Sequence, residues 1–165
     1  MLKLILLSLL IVLSSSAGSG AKVLAAARSQ IGLPYAWGGG TINGPSKGIK
    51  QTVDPYCYDG NHSGFDCSGL TLYSVYQGCG VKLPRTAAEQ YNYAKSNGKL
   101  VAYSSAKAGD ILFFNHGSGV SHVAVFAGSG KKVHAPGHYD DCTPKKITED
   151  SVSTSSLVSQ VGRFC

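Results

Sequence analysis

The stretch GFDCSGLTLYSVY, Gly64 to Tyr76, marks the point where a Gly-rich loop turns into a helix. Leu70, Tyr73, Val75 and Tyr76 give that helix an apolar side, and Gly78 and Gly80 supply its stop. Asp66 occupies the expected N-cap, where its carboxylate can accept a hydrogen bond from a first-turn backbone N–H. Cys67 then falls in the first turn, where the positive end of the helix favours thiolate over thiol. Gly69 leaves room for another segment to approach closely. A cysteine so placed is a candidate nucleophile. The alternative is a buried or disulfide-bonded cysteine that happens to begin a helix, and the local pattern does not choose between them.

The start of the chain bears on that choice. Residues 1–17 open with Lys3, run apolar from Leu4 to Leu13 with one serine, and end in small residues. This is the layout of a secretory signal peptide cleaved after Ala17. The apolar run is too short for a membrane anchor, which takes roughly 20 residues. The mature protein, residues 18–165, is therefore expected to be secreted, off the membrane, and a single domain. Five cysteines, Cys57, Cys67, Cys79, Cys142 and Cys165, then meet an oxidising compartment. Two disulfides leave one thiol over. If Cys67 is that thiol, the other four can pair in three ways.

An apolar fraction of 43% with 15 Trp, Tyr and Phe residues points to a packed core rather than disorder. The net charge of +6 is scattered, with short runs such as Lys131-Lys132 and Lys145-Lys146. That gives mild attraction to polyanions and no basic stripe for nucleic acid. Asn61 begins an Asn-His-Ser sequon.

Around the cysteine segment the elements separate into two groups. Val23, Leu24, Ala27 and Ile31 mark an amphipathic helix. Residues 34–64 read as a long Gly/Pro/Asn loop for which Cys57 is a candidate pin. Thr86 with Glu89 forms a capping box for a helix ending near Gly98. From there the period changes. DILFFN is a short buried strand, SHVAVFAGSGKKVHAPG two strands joined at Gly128-Ser129-Gly130, and SLVSQVGRF a final strand. Helices followed by an antiparallel sheet define an α+β fold, with the N-terminal helices packed on the sheet.

The hairpin supplies a base for the thiol. A three-residue turn at 128–130 sets Ala127 opposite Lys131 and Ala124 opposite His134. His122 and His134 then share a sheet face as a diagonal pair, roughly 7–8 Å apart. His122 is the candidate base and His134 its orienting partner. His62, His116 and His138 read as loop residues. Cys67, His122 and His134 are also zinc-ligand types, so a metal site is the competing use of the same three side chains.

These residues resemble the NlpC/P60 cysteine peptidases. GFDCSGLTLYSVY is similar to the family's nucleophile motif, GLPYAWGGG to its Pro-Tyr-x-Trp-Gly-Gly segment, and LPRTAAEQ to its Leu-Pro-Arg-Thr segment. AGDILFF and SHVAVFAGSGKKVHA match its strands in the same order, and VSQVGRF its closing strand. The resemblance implies a papain-like α+β fold. It also implies hydrolysis of bacterial peptidoglycan stem peptides, typically at the bond from D-γ-glutamyl to meso-diaminopimelate or lysine. Carried over, Cys67 is nucleophile, His122 base and His134 third residue, while Tyr35, Asp66 and Ser121 line the substrate site. For Asp66 this is compatible with capping only if one carboxylate oxygen stays free. No metal or cofactor is implied, the partner is peptidoglycan or a muropeptide, and the protein is expected to act as a monomer. The gap from Gly40 to Phe65 is longer than the family's usual loop, which puts the subsites in question. Other readings are an amidase or acyltransferase on this fold, or a non-catalytic wall-binding module.

Overall fold

The computed structural model describes residues 18–165; the expected signal segment, 1–17, lies outside them. Three helices lead. α1 (Ser19–Arg28) buries Val23, Leu24 and Ala27. It ends before Ile31, which is 45% exposed, so the apolar face expected to reach that residue closes at Ala27. α2 (Cys67–Cys79) is capped by Asp66, which accepts the Gly69 N–H at 2.7 Å, and closed by Gly80 at φ 73°. α3 (Ala87–Ser96) begins with the complete Thr86–Glu89 capping box.

The chain then builds the six strands of an antiparallel sheet. β3 (Leu100–Ala102), β4 (Ile111–Asn115), β5 (Val120–Gly128), β6 (Lys131–His134), β7 (Thr148–Ser151) and β8 (Leu157–Gly162) lie in the order β3-β8-β4-β5-β6-β7. β4 is central and covered on both faces, which is why its apolar run does not alternate. Ile111 and Phe113 meet the helices together with Val123, Val125 and Val133. Leu112 and Phe114 join Ala124, Phe126 and Val161 on the opposite face. The α+β architecture is therefore as expected, with β3 and β7 added. β7 reads Thr-Glu-Asp-Ser and carries no apolar signal, because it lies at the sheet edge.

The β5–β6 hairpin reaches its expected register by another route. Ser129 and Gly130, at φ 49° and 67°, form a two-residue turn of the kind that needs two left-handed residues. Gly128 pairs with Lys131, and the register then shifts by one residue before Phe126 pairs with Lys132 and Val125 with Val133. The bulge at Ala127 absorbs the extra residue. Without it, the two-residue turn would send His122 and His134 to opposite faces.

The long segment after Gly40 is also organised. A two-stranded ribbon, β1 (Ser46–Lys47) with β2 (Ser63–Gly64), closes its base. Cys57–Cys142 ties it to the region after β6, and Cys79–Cys165 ties the end of α2 to the C-terminus. Cys67 is the cysteine left free. Beneath the segment the buried Asp59 carboxylate accepts the Trp37 N–H at 2.7 Å and faces His138 Nε2 at 3.0 Å. His138 lies in a loop as expected, with its side chain buried and paired.

Candidate functional site

Cys67 lies at the floor of a cleft of about 410 Å³ whose walls include Tyr35, Trp37, Asp66, Arg85 and Ser121. The start of α2 delivers it there because three groups lock that start in place. Gly69 lies so close to the Gly39 carbonyl that any Cβ would collide with it. The Asp66 carboxylate caps the helix and accepts the Gly38 N–H at 3.0 Å. Arg85 reaches both Asp66 oxygens, at 2.9 and 2.8 Å, and also donates to the Gly39 carbonyl at 3.0 Å.

Both oxygens of Asp66 are therefore engaged, and the condition under which it could cap the helix and also hold substrate is not met in this conformation. Arg85 was not singled out from the sequence as a site residue. It stands in the Leu-Pro-Arg-Thr segment just ahead of a capped helix, where a lone arginine resembles ordinary surface charge.

On β5, the Val123 N–H faces the Cys67 sulfur, as does the Ser68 N–H of the first helical turn. This sets the sulfur against the backbone one residue from His122. No hydrogen bond among the described residues joins Cys67 to His122 directly. Burial pushes the thiol up to about 12, and the Asp66 charge adds to that, outweighing the two N–H groups and Arg85. The expected thiolate-favouring effect of the helix end is present but overruled by desolvation. His122 is pushed the other way, to about 3, first by burial and then by the charges of His134, His116 and Lys132 against Asp150. Both shifts favour the uncharged forms, thiol on Cys67 and neutral imidazole on His122.

His122 Nε2 and His134 Nδ1 lie 2.8 Å apart, so the diagonal placement deduced from the hairpin brings the two rings into contact. Behind them His134 Nε2 meets Asp150 Oδ2 at 3.1 Å. The pair lines a second hollow of about 430 Å³ with His116, Lys132 and Phe114. Ser121 Oγ, on the thiol side, meets His116 Nδ1 at 2.8 Å. Tyr35 is 6% exposed at the cleft wall, its ring packed edge-on to His138 at 4.9 Å, and burial raises its phenol so that it stays a hydrogen-bond donor. Chemically, the site offers a nucleophile, a base on an oriented histidine pair, and backbone N–H groups at a helix start that can meet a developing oxyanion.

Known proteins resemble the chain in sequence and in fold. The chain is 42% identical over 142 residues to the peptidoglycan endopeptidase RipB of Mycobacterium tuberculosis, covering 86% of this chain and 52% of RipB. To RipA of the same organism it is 41% identical over 136 residues, 82% of this chain and 25% of RipA. It thus spans about half the length of one relative and a quarter of the other. The solved structure of the peptidoglycan hydrolase RipB superposes with a TM-score of 0.69 at 38% identity, covering 88% of this chain and 64% of that one. So does RipD of M. tuberculosis, described as a non-catalytic NlpC/p60 domain protein adapted to peptidoglycan binding, with a TM-score of 0.69 at 29% identity over 89% of this chain and 98% of that one. The NlpC/P60 family model matches residues 32–160, from the loop after α1 into β8, and the chain belongs to the NlpC/P60 family.

Proposed function

We propose that residues 18–165 are a secreted cysteine endopeptidase of bacterial peptidoglycan stem peptides, cleaving between D-γ-glutamyl and a diamino acid, meso-diaminopimelate or lysine. The observation that carries this reading is the one unpaired cysteine of five, held at the first turn of α2 in an open cleft against the strand bearing a hydrogen-bonded histidine pair. The two disulfides suit the oxidising compartment to which a signal peptide at 1–17 would send the chain.

In this reading His122 takes the Cys67 proton at Nδ1 as the sulfur attacks the scissile carbonyl. Because both groups rest neutral, proton transfer and attack proceed together once substrate excludes water. The Cys67 backbone N–H meets the oxyanion. On collapse His122 protonates the departing amine, leaving a thioester that water hydrolyses by the same route in reverse. Tyr35 and Ser121 contact the acyl side of the peptide, and Asp66 serves them through the Arg85 brace.

Mass spectrometry of defined muropeptides incubated with the mature protein and with Cys67→Ala tests this. Wild type should give product pairs split after D-γ-glutamate, and the variant none. A folded Cys67→Ala that still cleaves would refute the thiol mechanism. The likeness to RipD supports a second reading, a binding module. Its mark would be muropeptide affinity without products, equal in wild type and Cys67→Ala.

A further inference from the structure

Two charged side chains behind the histidine pair have no part in the reaction just described. Lys132, on β6, is only 7% exposed. It donates to Asp150 Oδ1 and to the Ser151 carbonyl, the latter at 2.9 Å. Asp150, directly opposite it on β7, offers its other oxygen to His134. Strand alternation puts Lys132 and His134 on one face, and the antiparallel register makes Asp150 reach both.

We propose that Asp150 and Lys132 are positioning residues that fix the tautomers of the histidine pair, so that the only free nitrogen lone pair is on His122 Nδ1. This rests on His122 being the base of the proposed peptidase. The argument follows the hydrogen bonds inward. A carboxylate can only accept, so His134 Nε2 donates to Asp150. A neutral imidazole carries one N–H, so His134 Nδ1 must accept, and its donor is His122 Nε2. The remaining nitrogen, His122 Nδ1, is therefore unprotonated and ready for the thiol proton. When it takes that proton, every bond behind it keeps its direction, so catalysis requires no rearrangement.

A second proton on His134 would undo this. Its Nδ1 would become a donor, His122 Nε2 would have to accept, and the His122 proton would move to Nδ1, where it blocks the base. Asp150 alone favours that second proton. Lys132, bound to the same carboxylate, opposes it. The Lys145 charge also opposes a second proton on His134, and that of His116 opposes one on His122. Burial, then Lys132, hold His134 below its usual range against Asp150. Lys132 thus lets Asp150 orient the histidine without protonating it.

The test is long-range proton–nitrogen spectroscopy of the mature chain labelled with ¹⁵N-histidine, in wild type, Lys132→Met, Asp150→Asn and the double variant. In wild type at pH 7, both His122 and His134 should be Nε2–H tautomers. In Lys132→Met the imidazolium signal of His134 should appear about one pH unit higher than in wild type. In Asp150→Asn a mixture of His134 tautomers is expected. Should that variant misfold around an unpaired Lys132, the double variant removes the charge and should show the same mixture. An Nδ1–H His134 in wild type, an unmoved His134 titration in Lys132→Met, or a single Nε2–H tautomer without Asp150 overturns the proposal. Kinetics on a muropeptide supply a second reading. Asp150→Asn should lower kcat about tenfold to a hundredfold with KM unchanged, as loss of an outer partner of a histidine does. Lys132→Met should move the acid limb of kcat/KM upward. If wild type cleaves nothing while the spectra show the predicted tautomers, the peptidase reading fails and the hydrogen-bond assignment stands.

Discussion

Replacing Asp66 by alanine removes one carboxylate that closes two structures, the cap of α2 and the brace from Arg85. Loss of the cap costs about 1 kcal/mol. The charge-assisted pair with Arg85 contributes about 1.5 kcal/mol, the low end for such bonds, because the arginine side chain is 37% exposed while the aspartate is 14% exposed. Asp66→Ala should therefore lose about 2.5 kcal/mol, a fall in Tm of roughly 5–10 °C for a domain of this size. Arg85→Met leaves the cap intact but loses the pair and the bond to the Gly39 carbonyl, for about 2 kcal/mol. The double variant should cost about 1.5 kcal/mol less than the two single losses together, since both remove the same pair. Equilibrium unfolding in guanidinium with disulfides intact measures all three. An Asp66→Ala protein within about 0.5 kcal/mol of wild type, or a coupling below that value, would show that the carboxylate is not committed to the fold and is free to hold substrate.

Native Cys67 should alkylate slowly at pH 7 and steadily faster toward alkaline pH, because burial holds its thiol near 12; full reactivity at pH 6 in iodoacetamide kinetics would mean a preformed ion pair instead. Replacing Cys57 and Cys142 by serine opens a loop of sequence separation 85 and should cost about 4–5 kcal/mol on chain-entropy grounds; a loss under 1 kcal/mol in the same unfolding assay would contradict that account. Stability should also fall with acidity through the histidine pair. His122 is buried neutral with its pKa lowered to about 3, so an unfolded chain binds a proton that the folded one refuses. The stabilisation is complete above the unfolded pKa of about 6.5 and is lost as pH drops toward 3. In a pH series of midpoints, His122→Gln should flatten that part of the curve, and an unchanged slope would count against the assignment.

The sequence made the catalytic-type residues legible where the signal was local. Cys67 follows a capping aspartate, and the Thr86–Glu89 box is an adjacent pair on the chain. The hairpin could be counted because turn length and strand period fix which side chains share a face. The count succeeded even though its turn was misjudged, since the Ala127 bulge restores the same register. What escaped lies between segments. Asp150 sits on a strand of four polar residues whose pairing is set by β6, and Arg85 acts on Asp66 and Gly39 from a different loop. The fate of the Cys67 thiol escaped for a similar reason. The helix end is visible in the sequence, but the desolvation that overrules it depends on what packs around the sulfur.

The two disulfides overlap along the chain rather than nest. Cys57 and Cys79 both precede the exposed turn at residues 115–119, and their partners Cys142 and Cys165 both follow it. A backbone cut anywhere between Cys79 and Cys142 would therefore leave two fragments joined by two covalent bonds. After a nick in the exposed turn at 115–119, the piece bearing Cys67 and the piece bearing His122 and His134 stay attached to one another. Either bond alone would hold the fragments together after such a cut; two hold them at separate points, so reduction of one leaves the pieces still joined.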